Sequence, residues 1–330
     1  MTYVSGGLIE ATDYNGFVNT GANNINRVWS TGTGDSGWGQ TAISTVSAGG
    51  TVTATQWATL VANLATSGSQ TGSTLTSRTQ PQAGNVIAIL SNVGTDINTI
   101  TNNRGNAVGS GTEYGIFSGT TSKTSATGSG QSAWTITFTH TVTFASADAL
   151  RYFFNAGGIV RLKYGKSSTG VDHDEDWNTL AGWCGSINLT GRINSAAQLI
   201  AGTSYTGTTR IGGSGGNQTT LATTTGWYNL TGSPTTIFQL NATTAPYTPE
   251  FIRTTATATS STVLTLVTTW VDDGTSGAGR TSNISGGTAT NSPSTTITGT
   301  APTTLVTYIP PSTSFLTNSW GTPTIAASVA

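Results

Sequence analysis

Residues 134–144 read WTITFTHTVTF: threonine holds every odd position from Thr135 to Thr143, while Trp134, Ile136, Phe138, His140, Val142 and Phe144 hold the even ones. Successive side chains of a strand point to opposite faces, so the alternation predicts a strand with one aromatic and aliphatic face and one face of hydroxyls and methyls. β-Branching favours the extended backbone, the threonine methyl packs on its neighbours, and the hydroxyl is left to bond water or another chain.

The whole chain shares that character. Of 330 residues only 8% are Asp, Glu, Lys or Arg, against 70 threonines and 43 glycines, where an ordinary soluble protein has about 25% charged residues. A formal net charge of -1 supplies no long-range field to attract DNA, RNA or an anionic surface, so no nucleic-acid partner is expected. The 9 Trp, 9 Tyr and 9 Phe are spread along the length, which excludes a disordered composition. No run approaches the roughly 18–20 apolar residues that cross a bilayer, and MTYVSGGLIE lacks the basic and apolar regions of a secretory signal. A chain made in a cytoplasm, without membrane insertion, is therefore expected. The single cysteine, Cys184, rules out an internal disulfide framework.

Outward from the opening stretch, the pattern divides the chain in two, with the boundary near residue 110. Residues 1–110 read as a small helical domain. Thr12 caps a first helix whose apolar positions Tyr14, Phe17, Val18, Ile25, Val28 and Trp29 fall mostly on one face. Thr53 and Gln56 form a capping box for a second, with Trp57, Leu60, Val61 and Leu64 at i, i+3, i+4, i+7 and Gly68 near its end. A third spans about residues 84–102, with Val86, Leu90, Val93, Ile97 and Ile100 on a heptad seam. That seam is either the inner face of a three-helix unit or a candidate self-association surface. Residues 111–330 read as a β-rich, sandwich-like domain: short period-two runs separated by Gly/Ser clusters, with one or two inserted helices. Residues 262–271, TVLTLVTTWV, carry apolar residues at both parities and read as a strand buried on both faces. Weaker strand candidates are 187–189, 236–240, 251–257 and 304–309. Ser146 caps a helix over ADALRYFFN, and DEDWNTLAGWCGSI places Trp177, Leu180, Ala181 and Cys184 on one helical face. The fold class is thus α+β and mainly β. No fixed-period repeat is present, which disfavours solenoids and propellers.

Few residues suggest chemistry. VDHDEDW, residues 171–177, gathers four of the thirteen acidic groups. Asp172, Asp174 and Asp176 are weak candidates for a calcium site, and the cluster could in principle serve glycan cleavage. The plainer reading is an acidic first helical turn with Asp174 as cap. His140 lies on the apolar parity of its strand, which fits a hydrogen-bonded core histidine better than a catalytic base. GGSGGN, residues 212–217, lacks the lysine of a phosphate loop and reads as a flexible loop. No catalytic residue, metal or cofactor is therefore assigned. Trp38, Tyr205, Trp227, Tyr228 and Trp320, placed near Gly-rich loops, are candidates for stacking on a glycan or anchoring a subunit contact, with ordinary packing within the chain as the third reading.

Two stretches carry a resemblance. GLIEATDYNGFVNTGANNINRVWSTGTGDSGWGQTAISTVSAGGTVTATQWATLVANL, with its DYN helix, GDSGWGQ loop and VTATQW helix in that order, resembles the N-terminal region of tailed-bacteriophage virion structural proteins. SADALRYFFNAGG followed by a strand is similar to a segment of the same group, some of them tail or fibre components. The resemblance covers about 75 residues and implies a virion location, other virion proteins as partners and no catalytic residues. The expectation is a non-enzymatic, tail-associated homo-oligomer with neutral Thr- and aromatic-rich interfaces. A host-glycan-binding adhesin is the alternative, and a glycan-cleaving enzyme the more remote one.

Overall fold

The structure, a computed structural model, describes residues 10–21, 23–80, 82, 92–115, 117–122, 128–129, 133–167, 172–191, 198–200, 203–243, 248–272 and 301–330. The helical portion has α1 (Ala11–Asn15), α2 (Ile25–Trp29), α3 (Ala54–Thr71) and α4 (Val93–Asn103). The first helix expected from the periodicity is not continuous. α1 passes into a π-helical turn, Gly16–Thr20, the chain breaks at Gly21, and Asn24 caps α2 by accepting from the Arg27 N–H at 2.9 Å. A Cβ at Gly21 would lie 2.4 Å from the Gly16 carbonyl oxygen, so this exit suits glycine. Glu10, not Thr12, occupies the cap position of α1.

α3 has the expected capping box of Thr53 and Gln56, and it runs past Gly68 to a left-handed Gly72. Its last turn is fixed from outside: the Gln70 amide donates to the carbonyls of Val108 and Ala156, both at 2.9 Å. Of the seam, Val86 and Leu90 lie outside the described residues. Val93, Ile97 and Ile100 are at most 1% exposed, packed into the core that α4 shares with α2 and α3. For these three the inner-face reading holds, and the self-association reading is corrected.

The remaining elements follow as β1 (Phe117–Gly119), β2 (Gly128–Ser129), β3 (Ala133–Thr143), α5 (Ala147–Asn155), β4 (Ile159–Gly165), α6 (Asp172–Cys184), β5 (Ser186–Leu189), β6 (Gln198–Ile200), β7 (Thr203–Tyr205), β8 (Thr208–Ile211), β9 (Asn217–Leu221), β10 (Thr235–Asn241), β11 (Phe251–Ser260), β12 (Val263–Asp272), β13 (Thr303–Ile309) and β14 (Thr324–Val329). Among the described residues eight strands form a large sheet in the order β1-β14-β3-β12-β11-β10-β9, with β2 also on β3; four form a smaller one, β13-β4-β5-β8. Every pair is antiparallel except β1 with β14.

The two sheets face each other through residues of alternating parity. The Trp270 indole N–H of β12 donates to the Thr304 hydroxyl of β13 at 3.0 Å, and Tyr164 of β4 stacks on Phe238 of β10 at 6.0 Å. α6 closes one end, with Trp177 against Trp270 at 5.7 Å and contacts to both sheets. The protein is α+β and mainly β, a sandwich with helices concentrated toward the N-terminus. One hydrophobic cluster runs through the helical and the β portions, from Ala11 to Ile325.

The GDSGWGQ loop explains itself by what grips it. Gly37 (φ 102) and Gly39 (φ 68) are left-handed, and a Cβ there would meet the Thr31 carbonyl oxygen at 2.2 Å and the Tyr152 ring at 2.4 Å. Asn155, at the end of α5, donates to the carbonyls of Gly34 and Gly37, while Gln40 bonds Thr317 across the chain. Beyond the loop, Gln40, Ile43 and Val46 are buried at a three-residue period. Asn26 and Asn15 each clamp this segment from both sides, accepting the N–H and donating to the carbonyl of Ile43 and of Val46. GGSGGN is a defined turn between β8 and β9, not a loose loop. Gly212, Gly213, Gly215 and Gly216 all have positive φ, and Arg210 reaches the Trp183 and Gly215 carbonyls beneath it.

Candidate functional site

The register of the large sheet places the threonines of several strands side by side on the face turned away from the small sheet. Thr137 pairs with Thr269 and Thr141 with Thr265, while Thr139 and Thr255 both flank Val267. Thr257 continues the row of Thr265, and Ser328 and Ala326 of β14 extend two rows past β3. These threonines and Val263, Val267 and Val271 are half-exposed. Among the described residues the hydroxyls of Thr137, Thr139, Thr141, Thr255, Thr257 and Thr269 form no side-chain hydrogen bond, whereas Thr265 accepts from Thr259 at 2.7 Å. Across β14, β3, β12 and β11 the one charged residue on this parity is Arg253, whose guanidinium lies over the Phe251 ring at 5.4 Å.

β12 thereby corrects one expectation. Its inner positions Leu264, Leu266, Thr268 and Trp270 are wholly buried, but its outer valines are not. A pattern suited to a strand covered twice belongs here to a strand covered once.

On the inner face the polar groups are paired. The Thr254 hydroxyl meets the hydroxyls of Thr268 and Tyr164, each at 2.9 Å. His140 is the exception. It is 0% exposed, neither ring nitrogen has a formed hydrogen bond, and burial lowers its pKa to about 4 while the Thr304 backbone acts in the opposite sense. The expected hydrogen-bonded core histidine is in the core but lacks the bond.

The aromatic candidates serve the fold. Trp38 is 1% exposed and its indole N–H donates to the Asn155 carbonyl at 3.0 Å; Trp320 is 2% exposed. Tyr205 packs with Ile159 and Ile309 on the outer side of the small sheet. Trp227, half-buried, stacks on Phe154 at 5.5 Å, and the Tyr228 hydroxyl lies 2.6 Å from Asn155 Oδ1. The reading as packing within the chain holds for these rings, and Trp38, Trp227 and Tyr228 turn inward against α5. On the same small-sheet face Glu113 meets Arg161 at 2.8 Å and Lys163 at 2.6 Å. Burial works to raise its pKa, but hydrogen bonds from Lys163, Thr307 and Arg161 outweigh it and hold the carboxyl below its ordinary value.

α6 begins at Asp172, so Asp174 stands inside its first turn instead of capping it. The side chains of Asp172 and Asp174 lie outside the described residues, and Asp176 is half-buried with a partner of its own. Among the described residues no group of three His, Cys, Asp or Glu side chains is placed to hold a metal. A cleft of about 330 Å³ lies between residues 41–44 and α3, floored by Tyr14, Trp29 and Ile43 and rimmed by Thr41, Ser44, Thr55, Gln56, Thr59 and Asn63.

Sequence reasoning singled out the threonines of β3 but not those of β11 and β12. The signal was present as T-x-T spacing at Thr255/Thr257, obscured because Thr254 and Thr268 put threonine on both parities. Comparison with known protein families, with curated proteins and with solved structures returns no match.

Proposed function

We propose that the chain is a non-enzymatic structural component of a bacteriophage virion, tail-associated, that assembles with further copies and with other virion proteins through uncharged surface. The observation that carries this reading is the outer face of the large sheet: a broad threonine array in which six hydroxyls are unpaired among the described residues, with half-exposed valines and a single charge. Such a face stays wettable in the free chain and is insensitive to salt. It also gives small, regular side chains for close contact between protein copies. The order of the DYN, GDSGWGQ and VTATQW segments supports the same reading, and the structure gives those residues scaffold roles.

Mass spectrometry of purified virions, with image reconstruction to find the symmetry axis the chain obeys, tests the proposal. A chain missing from the particles would end it. The second reading, recognition of a host glycan, is favoured by the cleft beside α3, where neutral hydroxyl and amide groups surround an aromatic floor and no charged side chain intrudes. Binding of neutral host-surface oligosaccharides, lost in Thr59→Arg, would support that second reading.

A further inference from the structure

We infer that the threonine face of the large sheet is a two-fold contact, seated against the same face of a second copy of this chain. The inference rests on the structural reading above and narrows it to one surface and one partner.

Size is the first argument. Across β14, β3, β12, β11 and β10 the sheet is five strands wide, and its longest strands have ten or eleven residues. At about 4.8 Å per strand and about 3.4 Å per residue the face measures at most roughly 24 by 34 Å, on the order of 800 Å². A stable interface takes about 800 Å² from each partner. An occupant must therefore cover nearly the whole face. A second flat sheet does this, whereas a single helix or loop does not.

Chemistry is the second argument. Each unpaired hydroxyl can donate once and accept twice, so two threonine arrays can satisfy one another, whereas a purely apolar partner would bury those hydroxyls unmet. No charged partner is called for, since Arg253 is the one charge and its guanidinium already lies over the Phe251 ring. The geometry also tolerates that charge in duplicate. A two-fold axis lying in the interface along the β3–β12 seam puts the two Arg253 residues about 17 Å apart, from strand spacing and the roughly 10 Å between packed sheets, beyond the roughly 8 Å screening length. Val263, Val267 and Val271 add half-exposed apolar surface along the strand nearest the axis.

Sedimentation velocity on the full chain tests the pairing with Val267→Glu and Val267→Lys, both at a half-exposed outer position. Wild type should associate, and either variant alone should need about 100-fold more protein to do so, because like charges meet near the axis. An equimolar mixture of the two variants should restore association as a mixed pair. Unchanged circular dichroism melting guards against misfolding. A wild type that stays monomeric at roughly 100 μM, a Val267→Glu variant that associates like wild type, or a mixture that stays apart would each overturn the pairing. Entry of Val267→Glu into purified virions at the wild-type level would overturn the pairing and leave the particle reading standing. Absence of any chain from virions would remove the particle reading alone.

Discussion

The two faces of the large sheet use the same residue for opposite ends. Inside, Thr254 and Thr268 bond each other and Tyr164, and Thr304 accepts from Trp270. Outside, Thr139 and Thr255 have no side-chain partner among the described residues. A threonine-rich composition is therefore two populations, one that completes the core and one that forms a surface, and only parity and register tell them apart. The inner population resembles any buried polar set, in which a lost bond leaves an unpaired partner. The outer population is free to change without cost to folding.

The sharpest separation of the faces comes from large side chains. Trp270→Ala removes the ring that Trp177 packs on and the donor to Thr304, and should cost about 3–5 kcal/mol in urea unfolding. A loss below about 1 kcal/mol would mean that the sandwich is not closed as described.

Next in size is a pH effect confined to the inner face. His140 has a folded pKa of about 4 against an ordinary 6.5. As pH falls below 6.5 the unfolded chain takes up the proton first, so stability present at neutral pH is lost between those two values. The loss should approach roughly 3 kcal/mol. Glu113, with its lowered pKa, also loses stability in acid, as pH falls through its folded value. The difference between wild type and His140→Leu isolates the histidine, and equal slopes for the two chains would refute its part.

Smaller still is Thr254→Val, which strips partners from Thr268 and Tyr164 and should cost about 1–3 kcal/mol. Last, Thr139→Val and Thr255→Val on the outer face should stay within about 0.5 kcal/mol of wild type. If outer and inner valine substitutions cost the same, the division of the threonines into two populations fails.

Much of the fold was legible wherever local periodicity and burial agree. The alternation at residues 134–144, the Thr53/Gln56 box and the Ser146 cap all appear where the sequence places them. Legibility ended where tertiary context decides. The apolar positions Tyr14 to Trp29 belong to two short helices because Gly21 and the Asn24 cap on Arg27 divide the run, a local signal that the shared apolar face outweighed. Trp38 looks like a loop aromatic until Asn155, far along the chain, supplies its acceptor. The outer valines of β12 read as core because hydropathy counts side chains and not what covers them. The candidate surface was half legible: β3 announces it, but its width follows only from the register with β11, β12 and β14.

Strand β14 lies between β1 and β3 and bonds β3 along residues 324–329. On the ribosome, β3 emerges long before this neighbour exists. One flank of the sheet's threonine strand must therefore wait in water, unpaired, while residues 144–323 are made. A backbone edge lined by hydroxyls tolerates that delay better than a greasy one, because water can occupy it reversibly. The large sheet becomes whole only once residues 324–329 have joined it.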